Sequence, residues 1–134
     1  MSKKNIVLYA DDDNDDKNWV NEACKSLNSS LQIKFVETGK GVIHYLKQST
    51  PEEFPSLIVL DLNMPELDGR QTLKAIKASP EYRHIPIVIV TTSSNTIDKE
   101  VCKKLGASLF LIKPNTYNDW QMIVSQLEPF ANAG

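Results

Sequence analysis

The sequence predicts a doubly wound parallel α/β fold built from five strand–helix units. Five short runs of the chain are continuous in apolar character instead of alternating with polar residues. Such runs are typical of strands that are buried on both faces of a parallel sheet. Between the runs lie longer stretches in which apolar residues recur at helical spacing. Right-handed crossovers then place the helices on both faces of one sheet.

The predicted elements alternate along the whole chain. The strands are Ile6 to Ala10, Ile33 to Val36, Leu57 to Leu60, Ile87 to Val90 and Leu109 to Ile112. The apolar stripes of the helices are Val20, Ala23, Cys24 and Leu27; Val42, Ile43 and Leu46; Leu73 and Ile76; Ile97, Val101 and Leu105; and Trp120, Ile123, Val124 and Leu127. Gly106 follows the fourth stripe, and Pro80 and Pro86 flank the approach to the fourth strand, as helix ends and strand starts require.

Length and charge exclude several classes of protein. A chain of 134 residues fits one compact domain, and 41% apolar with 24% charged residues is an ordinary composition for a soluble protein. The 15 Lys and Arg against 17 Asp and Glu give a net charge of -2, which does not attract nucleic acid or an anionic membrane. No apolar run is long enough for a signal peptide or a membrane span. We therefore expect a cytoplasmic protein without nucleic-acid or membrane partners.

The two cysteines argue against a cysteine-based site. Cys24 and Cys102 lie far apart and outside any CxxC spacing, which excludes a disulfide framework, a structural zinc site and a thioredoxin-like motif. We expect both to be buried thiols. Trp120 is likewise expected in the core, and His44 and His84 away from any site.

Reactive polar side chains follow four of the five predicted strands. They are Asp11, Asp12 and Asp13 after the first strand, Asp61 after the third, Thr91 and Thr92 after the fourth, and Lys113 after the fifth. In open parallel sheets, ligands bind beyond the carboxyl ends of the strands. Converging carboxylates need a cation, and all-oxygen donors suit Mg²⁺. Because a lysine and a threonine hydroxyl can both bind a phosphoryl oxygen, the sequence predicts a phosphoryl site.

Asp61 is the candidate nucleophile of this site. Carboxylates form aspartyl phosphates, and a carboxylate needs no separate base because it is already ionised at neutral pH. Phosphoryl transfer asks the protein mainly for positioning and charge neutralisation, which the cation and Lys113 would supply.

From about Ile6 to Leu127, the sequence resembles the receiver domain of bacterial two-component response regulators. The acidic pair of that family matches Asp11 and Asp12, its phosphoacceptor matches Asp61, its switch hydroxyl matches Thr91, and its lysine before proline matches Lys113. The resemblance implies a flavodoxin-like (βα)5 sheet of strand order 2-1-3-4-5. It also implies a receiver domain over residues 4–131 with no output domain.

The resemblance further implies a ligand set, a switch and partners. Mg²⁺ would bind the side chains of Asp12 and Asp61 and the backbone carbonyl of Asn63, with Asp11 acting partly through water. Phe110 matches the aromatic switch position, where many members carry tyrosine. The phosphoryl donor would be a histidine kinase or histidine phosphotransfer protein, and a downstream protein would bind the face of the fourth helix, fifth strand and fifth helix. The protein would be a monomer or weak homodimer that catalyses only its own phosphorylation and dephosphorylation.

One further likeness concerns the subfamily. The segment from Leu62 to Arg70, together with Thr91 to Ser94, resembles small stand-alone receivers that serve phytochrome-type or other hybrid histidine kinases.

Other interpretations of the acidic run stay open beside this one. The run could be a solvated loop that caps a helix. A calcium loop is excluded because Asp16 stands where glycine is needed, and a flavodoxin would need hydroxyl and backbone donors instead of acids. Asp11 and Asp13 form the DxD of haloacid-dehalogenase phosphatases, although the chain has no room for their cap segment. A binding module that works without phosphorylation is the remaining alternative.

Overall fold

The computed structural model describes residues 5–132, which form one five-stranded sheet with helices on both faces. The strands are β1 (Ile6–Ala10), β2 (Gln32–Val36), β3 (Leu57–Leu60), β4 (Ile87–Thr91) and β5 (Leu109–Ile112). The helices are α1 (Asn14–Ser26), α2 (Gly39–Gln48), α3 (Gly69–Ala78), α4 (Thr96–Lys104) and α5 (Tyr117–Asn132). The predicted domain start at residue 4 lies outside the described residues.

The sheet confirms the predicted fold class. Its order is β2-β1-β3-β4-β5 and every neighbouring pair is parallel, which is the flavodoxin-like doubly wound arrangement. All five strands lie within one residue of their predicted bounds. The difference that matters is at β4, which extends to Thr91 and pairs it with Ile112 of β5.

Alternating side chains divide the core into two layers. The layer shared with α1 and α5, here called the α1–α5 layer, includes Val7, Val59, Val88, Trp120 and Val124. The layer shared with α2, α3 and α4, here called the α2–α4 layer, includes Leu8, Ile58, Leu73, Ile89 and Cys102. Burying each such side chain contributes roughly 1.5–3 kcal/mol. Trp120 is buried, as predicted.

Short polar side chains start four of the helices. Asp13, Thr38, Asp68 and Asn95 precede α1, α2, α3 and α4, and each accepts a hydrogen bond from a backbone N–H of the first turn. These caps satisfy donors that have no partner inside the helix, and each is worth about 1 kcal/mol. The capping residues in the sequence therefore determine where these four helices begin.

The predicted apolar stripe of α4 meets the core only at Leu105, which is partly buried against the α2–α4 layer. Ile97 is 68% exposed and Val101 37% exposed, whereas the buried residue of this helix is Cys102. A helical spacing identifies an apolar face but does not show whether that face meets the core or solvent. In α4 the buried position is taken by Cys102, which lies outside the stripe, so Ile97 and Val101 face outward.

Two smaller corrections concern α1. Leu27 follows the last helical residue and is 39% exposed, because it forms the C-cap and not part of the buried stripe. Cys24 is only partly buried, whereas Cys102 is fully buried as predicted, and both thiols are free. Across residues 5–132, none of the helices combines the length and the apolar character that a membrane span requires.

Candidate functional site

Strand alternation brings three charged residues to one side of the sheet edge. Asp11, Asp61 and Lys113 come directly after β1, β3 and β5. In each strand the residue two positions earlier belongs to the α1–α5 layer. Because side chains alternate along a strand, the three charged groups continue on that side. The sequence predicted this meeting from strand ends alone.

The Lys113 ammonium lies at the centre of this group. Its Nζ is 2.7 Å from Asp61 Oδ2, 3.1 Å from Asp11 Oδ2 and 2.6 Å from Asp16 Oδ2. Burial alone lowers the pKa of Lys113, but the close contacts with Asp16 and Asp61 and the negative charges of Asp61 and Asp11 outweigh burial and raise the pKa above its ordinary value. Lys113 therefore stays a cation throughout the physiological range.

Asp11 is the most deeply placed carboxylate of the site. Its side chain is fully buried, and one oxygen, Oδ1, accepts from the backbone N–H of Asp13 at 2.9 Å. Burial raises the pKa of Asp11 to about 7, against the lowering effects of the Asp13 N–H and the Lys113 charge. Within residues 5–132, Oδ2 is buried and makes no well-aligned hydrogen bond, its contact with Lys113 being an ion pair. A further positive charge would stabilise this carboxylate.

The acidic residues fit a divalent cation. Asp11, Asp12 and Asp61 each place a carboxylate oxygen within 4.8 Å of the others. Asp11 and Asp61 are buried whereas Asp12 is exposed, so the cluster opens to solvent. Together with Asp16, the group has four carboxyl groups around Lys113, the one cation that contacts them in the described residues, so it tends towards a net negative charge, and an all-oxygen donor set suits a hard cation.

The segment between β3 and α3 holds Asp61 tightly. The backbone N–H of Asn63 donates to Asp61 Oδ1 at 3.2 Å, and Asn63 itself is exposed. A Cβ on Gly69 would lie 2.3 Å from the carbonyl oxygen of Asp61, so only glycine allows this approach. Glu66 and Leu67 have φ of 50° and 86°, the left-handed region that ordinary residues rarely adopt. Such strain concentrates at functional sites.

Thr91 and Phe110 lie on the other side of the sheet, towards α4. Ile89 pairs with Phe110 across β4 and β5 and belongs to the α2–α4 layer, as does the partly buried Phe110. Thr91 comes two residues after Ile89 and shares its side of the strand. Thr91 is fully buried, and its Oγ1 accepts from the Ser93 N–H at 3.3 Å.

A polar chain links the segment after Thr91 to α3. Ser93 Oγ donates to Asp98 Oδ2 at 2.7 Å, and Arg70 Nη1 donates to Asp98 Oδ1 at 2.6 Å. The Arg70 and Asp98 side chains are 36% and 26% exposed, so this pair contributes at most about 1 kcal/mol. Nothing in the spacing of the sequence shows that Arg70 and Asp98 meet, so these polar contacts could not be predicted.

Asp16 is the site residue that the sequence analysis missed. It lies one helical turn before Val20, the first buried residue of α1, so its side chain points along the buried face. That spacing was the available signal. Asp13, in contrast, accepts from the N–H groups of Asp15 and Asp16 at 2.8 and 3.3 Å and caps α1. His44 and His84 are exposed, as expected.

Comparison with known proteins points in one direction. The family model of the response regulator receiver domain matches residues 7–125. The response regulator Rcp1 of Synechocystis sp. is 31% identical over 128 residues, covering 93% of this chain and 87% of Rcp1. The two-component response regulator ORR5 of Oryza sativa is 30% identical over 121 residues, covering 90% of this chain and 87% of ORR5.

Solved structures agree with these relatives. The Mn²⁺-bound form of Rcp1 superimposes with a TM-score of 0.81 at 31% identity, covering 93% of this chain and 92% of that chain. The phosphorylated cyanobacterial phytochrome response regulator RcpA gives a TM-score of 0.84 at 26% identity, covering 96% and 95%. Since the family match covers most of the chain and both relatives are similar over nearly their whole length, this chain belongs to the response regulator receiver domain family.

Proposed function

We propose that the protein is a phosphoacceptor module in which Asp61 receives a phosphoryl group from a histidine kinase or a histidine phosphotransfer protein. The observation that supports this most is the meeting of Asp11, Asp12, Asp61 and Lys113 at one edge of the sheet. The phosphorylated RcpA structure, at 26% identity, and the Mn²⁺-bound Rcp1 structure, at 31%, support the same chemistry by analogy.

The transfer forms one bond and breaks one bond. A carboxylate oxygen of Asp61 attacks phosphorus, the P–N bond of the phosphohistidine breaks, and the imidazole nitrogen leaves with that electron pair. The Lys113 ammonium, 2.7 Å from Asp61 Oδ2, moves onto a phosphoryl oxygen as the charge shifts outward. Asp11, Asp12 and Asp61, with the backbone carbonyl of Asn63, would hold Mg²⁺, which when bound neutralises the phosphoryl charge.

The phosphoryl group then acts on the α2–α4 layer. It adds about -1.5 to -2 charges and strong acceptor oxygens at the edge of the sheet where β4 ends in Thr91, whose hydroxyl has no side-chain partner within residues 5–132. The Thr91 hydroxyl turns to the phosphoryl group and no longer accepts from the Ser93 N–H. Phe110, on the same side of the sheet, moves into the space that Thr91 leaves. This shifts the population between two arrangements of α4.

The partner face that this change would alter contains α4, β5 and α5. It carries the exposed apolar side chains Ile97, Val101, Ile112 and Met122. Single exposed apolar residues are ordinary, but four of the six exposed large apolar side chains of the described residues lie on these three elements, which favours this face as the one that partners bind. A downstream protein that distinguishes the two arrangements of α4 would bind there.

The contacts of Asp13 do not favour the haloacid-dehalogenase phosphatase alternative. In a haloacid-dehalogenase site the second aspartate of DxD must be free to act as an acid. Here the Asp13 carboxylate accepts two backbone N–H groups of α1 instead. The proposed chemistry is therefore confined to phosphorylation and dephosphorylation of Asp61 itself.

The test is phosphorylation by acetyl phosphate, followed by intact mass, with and without Mg²⁺. We expect one phosphoryl group per chain, no uptake without the metal, and no uptake by Asp61→Asn. Asp68→Asn is the matched control, because Asp68 lies in the same segment but caps α3, where asparagine caps equally well. A wild-type protein that binds Mg²⁺ but takes up no phosphoryl group would contradict the proposal, as would uptake by Asp61→Asn.

A further inference from the structure

The three carboxylates around Lys113 are not equivalent. Asp11 and Asp61 belong both to the lysine contacts and to the group of carboxylates that fits a metal. Asp16 belongs only to the lysine contacts, and its Oδ2 is the oxygen nearest to Nζ, at 2.6 Å. Lys113 is therefore the salt-bridge partner of Asp16 in residues 5–132, although the Asp16 carboxyl also lies against Asp11 and helps to raise the pKa of Asp11.

The contact between Asp16 and Lys113 is largely shielded from solvent. The Asp16 side chain is 13% exposed, and Oδ2 is fully buried and has no aligned hydrogen-bond donor within residues 5–132, so its contact with the Lys113 ammonium is an ion pair. Tyr9 also lies on this side of the sheet; burial and then the charges of Asp11, Asp16 and Asp61 raise the pKa of its hydroxyl, so Tyr9 remains neutral. Lys113 is thus the cation that balances Asp16.

The position of Asp16 at the start of α1 suits it to hold the Lys113 ammonium in one place. Asp16 lies in the first turn of α1, which is capped by Asp13 and packs against α5. A carboxylate there is stabilised by the positive end of the helix dipole. Lysine, in contrast, has a flexible four-carbon side chain that loses conformational entropy when it is held in one place. If Asp16 already holds the ammonium at this helix terminus before transfer, the Lys113 side chain loses less conformational entropy during the transfer itself.

The geometry points to Asp16 as a positioning residue: it holds the Lys113 ammonium beside Asp61 independently of the metal, ready for the phosphoryl oxygen. This inference rests on the proposed function for its catalytic consequence. The holding itself is a property of the unphosphorylated protein. When Asp61 is phosphorylated, Lys113 keeps Asp16 as a partner while it moves onto the phosphoryl group.

The experiment compares Asp16→Asn with Asp15→Asn. Asp15 is exposed and lies in the same first turn, so the control removes the same charge from the same helix terminus. The first readout is the NMR signal of the lysine ammonium groups, in which Lys113 is identified by its absence from Lys113→Met. We expect a slowly exchanging Lys113 signal in the wild type and in Asp15→Asn, and its loss in Asp16→Asn.

The second readout is the rate of phosphorylation at saturating Mg²⁺ and acetyl phosphate. We expect Asp16→Asn to be about tenfold slower than Asp15→Asn, because a loosely held lysine must be ordered during transfer. The Mg²⁺ affinity of the two variants should match, and urea denaturation confirms that both are folded. An unchanged ammonium signal and rate would overturn the inference, and so would a loss of Mg²⁺ affinity in Asp16→Asn, which would make Asp16 a metal ligand. If the wild type takes up no phosphoryl group, the proposed function fails, and the ammonium signal still decides whether Asp16 holds Lys113.

Discussion

The two helices that flank β5 are held very differently. Helix α5 buries five residues in the α1–α5 layer: Trp120, Ile123, Val124, Leu127 and Ala131. Helix α4, on the other side, buries Cys102 and leaves Ile97 and Val101 exposed. The same strand is therefore packed against a firmly held helix on one face and a loosely held helix on the other.

This difference suggests how a local charge can produce a larger change. The carboxylates and Lys113 lie on the side of the firmly held helices, where a precise geometry can be maintained. Thr91 and Phe110 lie on the side of α4, where few buried apolar contacts oppose a shift. Segments with few buried contacts open at a lower free energy than the core does. The proposed chemistry and the proposed response therefore involve residues on opposite faces of one sheet.

The largest expected effect is a loss of stability from a substitution in the α1–α5 layer, which holds α5 firmly. Trp120→Ala should lower the free energy of unfolding by about 3–5 kcal/mol, because it removes a buried indole and leaves a cavity. Ile97→Ala is the matched change on α4 and should cost less than about 0.5 kcal/mol, since the side chain is 68% exposed. Urea denaturation followed by circular dichroism measures both. Equal losses in the two variants would show that the helices are held alike.

A smaller effect follows from the buried Asp11. Its pKa is about 7 in the folded, metal-free protein against 3.8 for an ordinary aspartate, so the folded state binds more protons between these values. The free energy of unfolding without metal should therefore fall as the pH rises towards about 7. Because Mg²⁺ competes with that proton, its affinity should rise about tenfold per pH unit between about pH 5 and 7.

Titration calorimetry across this pH range measures the affinity. Asp11→Asn is the control, since it removes the titrating group and should flatten the dependence while it weakens binding. An affinity for the wild type that is constant between pH 5 and 7 would contradict the assignment of Asp11 to the metal site.

The fold was largely predictable from the sequence because strands buried on both faces are apolar without interruption. The meeting of Asp11, Asp61 and Lys113 was predictable for a related reason: each follows a strand, and parallel strands bring their carboxyl ends together. The features that could not be predicted depend on which side of each helix packs against the sheet. Ile97 and Val101 have helical spacing but face solvent. Asp16, in an acidic run, differs from its neighbours only in lying on the buried face of α1.

The proposed division between the two sides of the sheet is tested most directly by hydrogen exchange. Exchange is measured by mass spectrometry on the phosphorylated and unphosphorylated protein, with Asp61→Asn treated identically. Acid quenching preserves the aspartyl phosphate during the measurement. After phosphorylation we expect altered exchange in the segment between β4 and α4, in α4 and in β5, and unchanged exchange in α1 and α5. Asp61→Asn should show no difference. A phosphorylated wild type whose changes fall in α1 and α5, with α4 unaffected, would contradict the division between the two sides of the sheet.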